Sequence, residues 1–374
     1  MNKSKKILAL LLALVMVLSL AACGGKTEGE EKPADKPAET EGNEGEAETE
    51  EGEKEETKEA LKVGMVTDVG GINDQSFNQI TYEGLKKYNE KTGNEITYVE
   101  STHEEDYPKN LDKIIDEEVG LIWGVGFALG PAVENVAKQN PERHFATVDW
   151  TYGDENGEGI AKNLTGVMFK AQEPSYLVGY AAGLTTETGK VGFVGGEKGF
   201  IIDQFEYGYR AGVLDAAKDL GKEIEVLVQY ADSFADQKIG KGIAQTMFAD
   251  GADIVFHAAG GVGIGVIEAA KEADKWAIGV DMDQSHLAPK NVLTSALKKV
   301  DIVTEDLSTK LANGEEIGGQ NYNYGLKEGG VGIPEENPNM DKEVYDKTME
   351  KAQEIIDGKI VPPYNEDTFK EYTK

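Results

Sequence analysis

Lys62-Val63-Gly64-Met65-Val66 returns 128 residues later as Lys190-Val191-Gly192-Phe193-Val194, and this recurrence decides how the chain is read. Both runs are short and almost continuously apolar, without the polar alternation of a strand that has one wet face. Each therefore reads as a parallel strand covered on both sides. The repeat continues beyond the strands, because the glycine of Tyr82-Glu83-Gly84-Leu85 is answered at the same offset by that of Arg210-Ala211-Gly212-Val213. Phe145-Ala146-Thr147-Val148-Asp149 is answered in turn by Trp276-Ala277-Ile278-Gly279-Val280-Asp281, so Asp149 and Asp281 close equivalent strands 132 residues apart. Apolar runs at 119–124 and 144–149 alternate with helix-like stretches such as 77–91, which makes this an α/β chain built from two similar βα halves. The expected division is a first lobe over 61–169 with a return at about 285–320, and a second over 170–284 with about 321–374.

In open α/β sheets ligands bind outside the carboxyl ends of the parallel strands. The chemically informative residues collect there: Thr67-Asp68-Val69-Gly70-Gly71-Ile72-Asn73-Asp74-Gln75-Ser76-Phe77-Asn78 after the first strand, Gly195-Gly196 after its counterpart, and Ala259-Gly260-Gly261-Val262-Gly263 farther on. Glycine-rich loops invite a nucleotide-cofactor reading, but the spacing fails. Five positions after Gly261 and Gly263 stand Val266 and Glu268, and no Gly-Lys pair in the folded part precedes Ser or Thr. His103, His144, His257 and His286 show no metal-ligand spacing, so no metal and no cofactor are expected. No G-x-S-x-G elbow occurs, and the chain is not expected to be an enzyme. What remains is carboxylates, amides, a lysine and aromatics, the groups that accept from vicinal hydroxyls, satisfy ring nitrogens and stack on flat rings.

Charge and the N-terminus bound the rest. Of 374 residues 69 are acidic and 38 basic. Residues 24–60 hold 15 acidic residues, five lysines and no aromatic, a composition that cannot bury enough apolar surface to offset ordering, so 23–60 reads as a tether. From 61 onward the net charge is still −24, which argues against nucleic acid as partner. Lys3, Lys5 and Lys6 precede an apolar run of 16 residues from Ile7 to Ala22. A spanning helix needs roughly 20, so 1–22 reads as a secretory signal. Leu20-Ala21-Ala22-Cys23 followed by Gly24-Gly25 resembles a bacterial lipobox, which implies a diacylglyceryl group on the sole cysteine, Cys23, and a lipid-anchored protein on the extracytoplasmic face of the cell membrane.

Taken in order, the 68–78 loop, the 145–149 strand end, Phe193-Val194-Gly195-Gly196, 259–263, Gly279-Val280-Asp281-Met282-Asp283-Gln284 and Thr294-Ser295-Ala296-Leu297-Lys298 resemble the basic membrane lipoprotein family. These are substrate-binding proteins of ABC importers, typified by purine nucleoside receptors, and the likeness covers essentially all of 61–365. It implies a type I periplasmic-binding-protein fold, two Rossmann-like lobes joined by a three-strand hinge, and monomeric action with ABC permease and ATPase subunits. It further implies Asp68 and Asn78 as polar contacts to a base, with Phe77 as a stacking platform. Asp149 and Asp281 would be ribose-hydroxyl acceptors, Lys298 would reach the ribose or a neighbouring carboxylate, and Gly260 and Gly261 would bring backbone to the ligand. For the opposite stacking face, Phe200 is preferred over Phe256. Other solutes on the same fold, such as riboflavin or a sugar, and a surface nucleoside hydrolase or adhesin remain alternatives. A repressor on this fold is opposed by an N-terminus that carries a lipidation signal where a basic helix-turn-helix would be needed.

Overall fold

The computed structural model describes residues 60–374. The signal expected at 1–22, Cys23 and all but the last residue of the tether expected at 23–60 lie outside the described residues.

Two six-stranded sheets repeat one plan. The first contains β1 (Val63–Val66), β2 (Ile96–Val99), β3 (Leu121–Val125), β4 (His144–Val148), β5 (Leu164–Phe169) and β11 (Gln320–Tyr324), in the order β11-β5-β4-β3-β1-β2, all parallel. The second contains β6 (Lys190–Gly195), β7 (Glu225–Tyr230), β8 (Ile254–Ala258), β9 (Trp276–Asp281), β10 (Val292–Lys298) and β12 (Val331–Gly332), ordered β12-β10-β9-β8-β6-β7, with only β12 antiparallel. The order β2-β1-β3-β4-β5 thus maps onto β7-β6-β8-β9-β10, and each half has its switch point beside its first strand. The runs that repeat in sequence are β1 and β6. Both are almost wholly buried, as strands covered by helices on both faces must be.

One boundary moves. The return to the first lobe, expected near residue 285, comes only after Lys298, because β10 pairs with β9 as the fifth strand of the second sheet, the counterpart of β5. The chain passes between the sheets three times: after β5, after β10, and between β11 and β12.

The helices explain the repeated glycine. α1 (Phe77–Thr92) and α2 (Tyr107–Ile115) and α3 (Gly130–Gln139) follow the first-sheet strands, and α4 (Gln172–Thr185), α5 (Phe200–Leu220), α6 (Gln237–Ala249) and α7 (Val262–Ala273) belong with the second. α8 (Val300–Ala312) precedes β11, and α9 (Lys342–Ile356) and α10 (Glu366–Tyr372) close the chain. A Cβ on Gly84 of α1 would stand 2.0 Å from Thr304 Oγ1 of α8, and one on Gly212 of α5 would stand 2.0 Å from the Tyr176 carbonyl of α4. In both halves the helix after the first strand therefore meets the helix after a crossover at backbone distance. Gly93, in the left-handed region, ends α1, with Lys91 in its last turn.

Candidate functional site

A cavity of about 60 Å³ lies at the carboxyl ends of strands from both sheets. β1 leads into Asp68, α1 contributes Phe77 and Asn78, and Asp149 follows β4. From the second sheet come Gly260 after β8, Asp281 at the end of β9 and Lys298 at the end of β10. Asp149 and Asp281, the matched strand ends of the repeat, share an unusual backbone, with φ of 65° and 64°. Left-handed φ at a non-glycine residue is uncommon and Asp tolerates it better than most, so each carboxylate is turned off its strand in the same way.

The loop before α1 is organised by Asp74, which the sequence reading passed over. Its Oδ1 accepts the N–H groups of Ser76 (2.9 Å) and Gln79 (3.1 Å), and Oδ2 accepts from the Asn78 N–H (2.8 Å) and Nδ2 (3.0 Å). Asp74 thereby satisfies the free donors of the helix start that a capping side chain would normally take. Ser76 makes no side-chain cap and instead donates to Asp281 Oδ2 at 2.5 Å, across from one sheet's loops to the other's. An Asp two residues before a Ser at a helix start was the available signal.

Asn78 spends its amide differently from expectation. Its Nδ2 donates to Asp68 Oδ1 (2.7 Å) as well as to Asp74, and its Oδ1 accepts the Asp68 N–H (3.2 Å). With both hydrogens used, it orients Asp68 and keeps only acceptor capacity for the cavity. Asp68 Oδ1 also accepts the Gly70 N–H at 2.8 Å, leaving Oδ2 for a ligand.

Burial raises the carboxyls. Asp68 is pushed up to about 7 by desolvation, with Asp74 and Asp281 adding repulsion against the donors that stabilise its anion. Asp281 rises to about 6, again chiefly by desolvation, while Lys298 and the Ser76 hydroxyl pull it back down and Asp74 and Asp149 oppose them. Asp74 is shifted upward for the same first reason. Lys298, only 2% exposed, pairs with Asp149 Oδ2. Its Nζ also lies 4.7 Å from the Phe77 ring centroid and 5.4 Å from that of Phe169, within cation–π reach. Asp149 Oδ1 is buried and has no hydrogen-bond partner among the described residues, which leaves an acceptor available at the cavity wall.

The aromatic expectations divide. Phe77 lines the cavity. Phe200 does not: it is the first residue of α5, is 60% exposed, and lines a neighbouring groove with Trp150 and Tyr364. The α5 face turned to the cavity carries Ile201, Ile202 and Phe205 at helical spacing. Phe256 is fully buried in the core, its ring centroid 5.2 Å from that of Tyr209 and 5.6 Å from that of Phe193. The aromatic rings that join Phe77 at the wall are Phe205, Phe234 and Phe127, none of which the sequence reading chose. Gly260, at φ 53°, lines the cavity, whereas Gly261 caps α7 and does not. Among the described residues no group of three or more His, Cys, Asp or Glu is arranged to hold a metal ion, and no helix is long and apolar enough to cross a membrane.

Known proteins share this architecture. A family model described as "ABC transporter substrate-binding protein PnrA-like" matches residues 61–366. The CD4+ T-cell-stimulating antigen of Listeria monocytogenes is 43% identical over 322 residues, covering 80% of this chain and 87% of its own length. The ABC transporter nucleoside-binding protein BmpA of Lactococcus lactis subsp. cremoris is 40% identical over 327 residues, 82% of this chain and 90% of the relative. Among solved structures, a solute-binding protein of an ABC transporter system from Aeropyrum pernix superposes with a TM-score of 0.74 at 26% identity, over 83% of this chain and 96% of that one.

Proposed function

This chain belongs to the Bmp family of PnrA-like ABC-transporter substrate-binding proteins, and from that premise we propose that its solute is a nucleoside, purine in preference to pyrimidine. The solute is taken up in the cavity between the two sheets and passed to a permease driven by an ATPase. One observation carries the choice of solute: carboxylates from both sheets, Asp149 and Asp281, converge with Lys298 on a cavity that also exposes Phe77 and Phe205. Carboxylates accept from paired sugar hydroxyls, and aromatic rings take a flat base. Asp149 Oδ1 is an acceptor without a donor among the described residues, and a ribose hydroxyl supplies one. At the far end Asp68 Oδ2, with Oδ1 already engaged, meets the edge of the base. Phe205 or Phe234 takes the second stacking face in place of Phe200. The naming of the Lactococcus relative as nucleoside-binding agrees with this reading.

The reading extends to the membrane: Cys23 carries the lipid that holds the receptor on the extracytoplasmic face, with the acidic segment as its tether. Labelled palmitate should enter the full-length chain and be absent from a Cys23→Ala variant; label retained by the variant would reject the anchor.

For the solute, mass spectrometry of whatever the freshly purified protein releases on denaturation should return a nucleoside. Recovery of a free sugar or a flavin in its place would overturn the assignment and leave the transport role intact.

A further inference from the structure

Gln284 closes the 279–284 run, is fully buried and does not line the cavity. Its side-chain amide is held by backbone groups of opposite polarity. Oε1 accepts the Val280 N–H at 3.0 Å, and Nε2 donates to the Gln75 carbonyl at 2.8 Å. Turned over, the amide would set donor against donor and acceptor against acceptor, so its orientation is fixed. Oε1 also lies 2.9 Å from His257 Nε2, and since that oxygen is the acceptor, the ring nitrogen carries the proton. Burial pushes the imidazole down to about 4, which keeps it neutral. The Gln284 N–H donates to Ser295 Oγ at 3.2 Å. Space for the assembly is reserved by glycines: a Cβ on Gly263 would stand 1.9 Å from the His257 ring, and one on Gly279 would stand 2.7 Å from Gln284 Oε1. Residues of β8, β9 and β10 thus fix Gln284 from three sides.

The group that it reaches belongs to the other half. Gln75 sits in the loop before α1 at φ 55°, a left-handed conformation that costs a non-glycine residue energy and needs outside support. Its neighbour Ser76 donates to Asp281, and the Gln75 side-chain Oε1 lies 3.1 Å from His286 Nε2 at the surface, so two consecutive residues of a first-lobe loop make three cross-lobe hydrogen bonds. The Ser76 bond ends on a carboxylate assigned to the solute. The bond from Gln284 joins the Gln75 backbone carbonyl to a side chain outside the cavity.

We propose that Gln284 is a positioning residue for closure: its amide latches the first-lobe loop by the Gln75 carbonyl and so sets the population of the closed form without touching the solute. This rests on the cavity being the solute site, and not on which solute occupies it. A latch acts on the fraction of molecules already closed, so its loss divides the affinity for every ligand by one common factor.

Two variants test it. Gln284→Met removes the whole network. Gln284→Glu at about pH 8 keeps an oxygen for Val280 and His257 but sets a second oxygen against the Gln75 carbonyl. In the full-length chain carrying Cys23→Ala, spin labels at Glu105→Cys and Lys238→Cys report the separation of the lobes, and calorimetry reports binding of guanosine, inosine and adenosine. For whichever variant stays folded, we expect the long-distance population to grow without ligand, and all three affinities to fall by the same factor of about 10. An unchanged distance distribution, or a loss confined to one nucleoside, would overturn the latch. If no nucleoside binds even the parent protein, the solute assignment fails while the unliganded distances still decide the latch.

Discussion

Lys298 and Asp149 form a buried ion pair, and removing one member of such a pair strands the other charge away from water. Asp149→Asn keeps the shape and deletes the charge, so it should destabilise the unliganded protein by about 3 kcal/mol. Asp149→Asn combined with Lys298→Met should recover most of that loss. Denaturant unfolding of the single and double variants checks both, and additive losses would contradict the pair. The pH behaviour follows from carboxyls that hold their protons more tightly folded than unfolded, Asp281 to about 6 and Asp68 to about 7. Their folded forms bind the extra proton between about pH 4 and 7, so the stability of the unliganded protein should fall as pH rises through that window. Affinity for a hydroxyl-bearing solute runs the opposite way, because the acceptor at Asp281 is the anion: binding should weaken by about tenfold from pH 8 to pH 5. Asp281→Asn should flatten the binding slope and shrink the stability slope to the share of Asp68, as calorimetry and thermal unfolding across pH would show.

At the scale of elements, the two halves place Gly84 and Gly212 at equivalent helix contacts, each pressed against the helix of a crossover. Gly212→Ala would drive a methyl into the Tyr176 carbonyl and should cost more than about 2 kcal/mol, despite alanine's better helix propensity. Gly242 of α6 is exposed, with open space where its Cβ would be, so Gly242→Ala should stabilise by roughly 0.5–1 kcal/mol. Denaturant midpoints of opposite sign are the check. The same comparison explains what could be read in advance. Period, offset and strand-end position are local properties, so the α/β class, β1, β6 and the equivalence of Asp149 with Asp281 were legible in the residues. β10 was assigned to the wrong lobe because strand partnership is decided by tertiary pairing, and nothing in Val292–Lys298 itself names β9 as its neighbour. Phe200 was preferred to Phe256, and Phe205 passed over, because proximity to a glycine turn is visible in sequence, whereas the direction of a side chain depends on where α5 begins. Asp74 was missed since three of its four partners are backbone N–H groups, which every sequence contains.

At the scale of the molecule, the chain crosses between sheets three times, and the cavity draws its walls from both. On the proposed reading, closing such a cleft removes water from buried carboxylates whose acceptor capacity a hydroxyl-bearing solute can use. Solute then stabilises the fold by mass action, by about 2.7 kcal/mol at a hundredfold excess over Kd. The measurement that bears most directly on the account is a calorimetric titration of the ligand-stripped protein with guanosine, inosine, adenosine, uridine, free guanine and free ribose. The account predicts micromolar or tighter binding of purine nucleosides, weaker binding of uridine, and a large loss for base or sugar alone. It also predicts that Asp281→Ala weakens the nucleosides by about 10- to 100-fold. Failure of every nucleoside to bind, or full affinity for guanosine in Asp281→Ala, would contradict it.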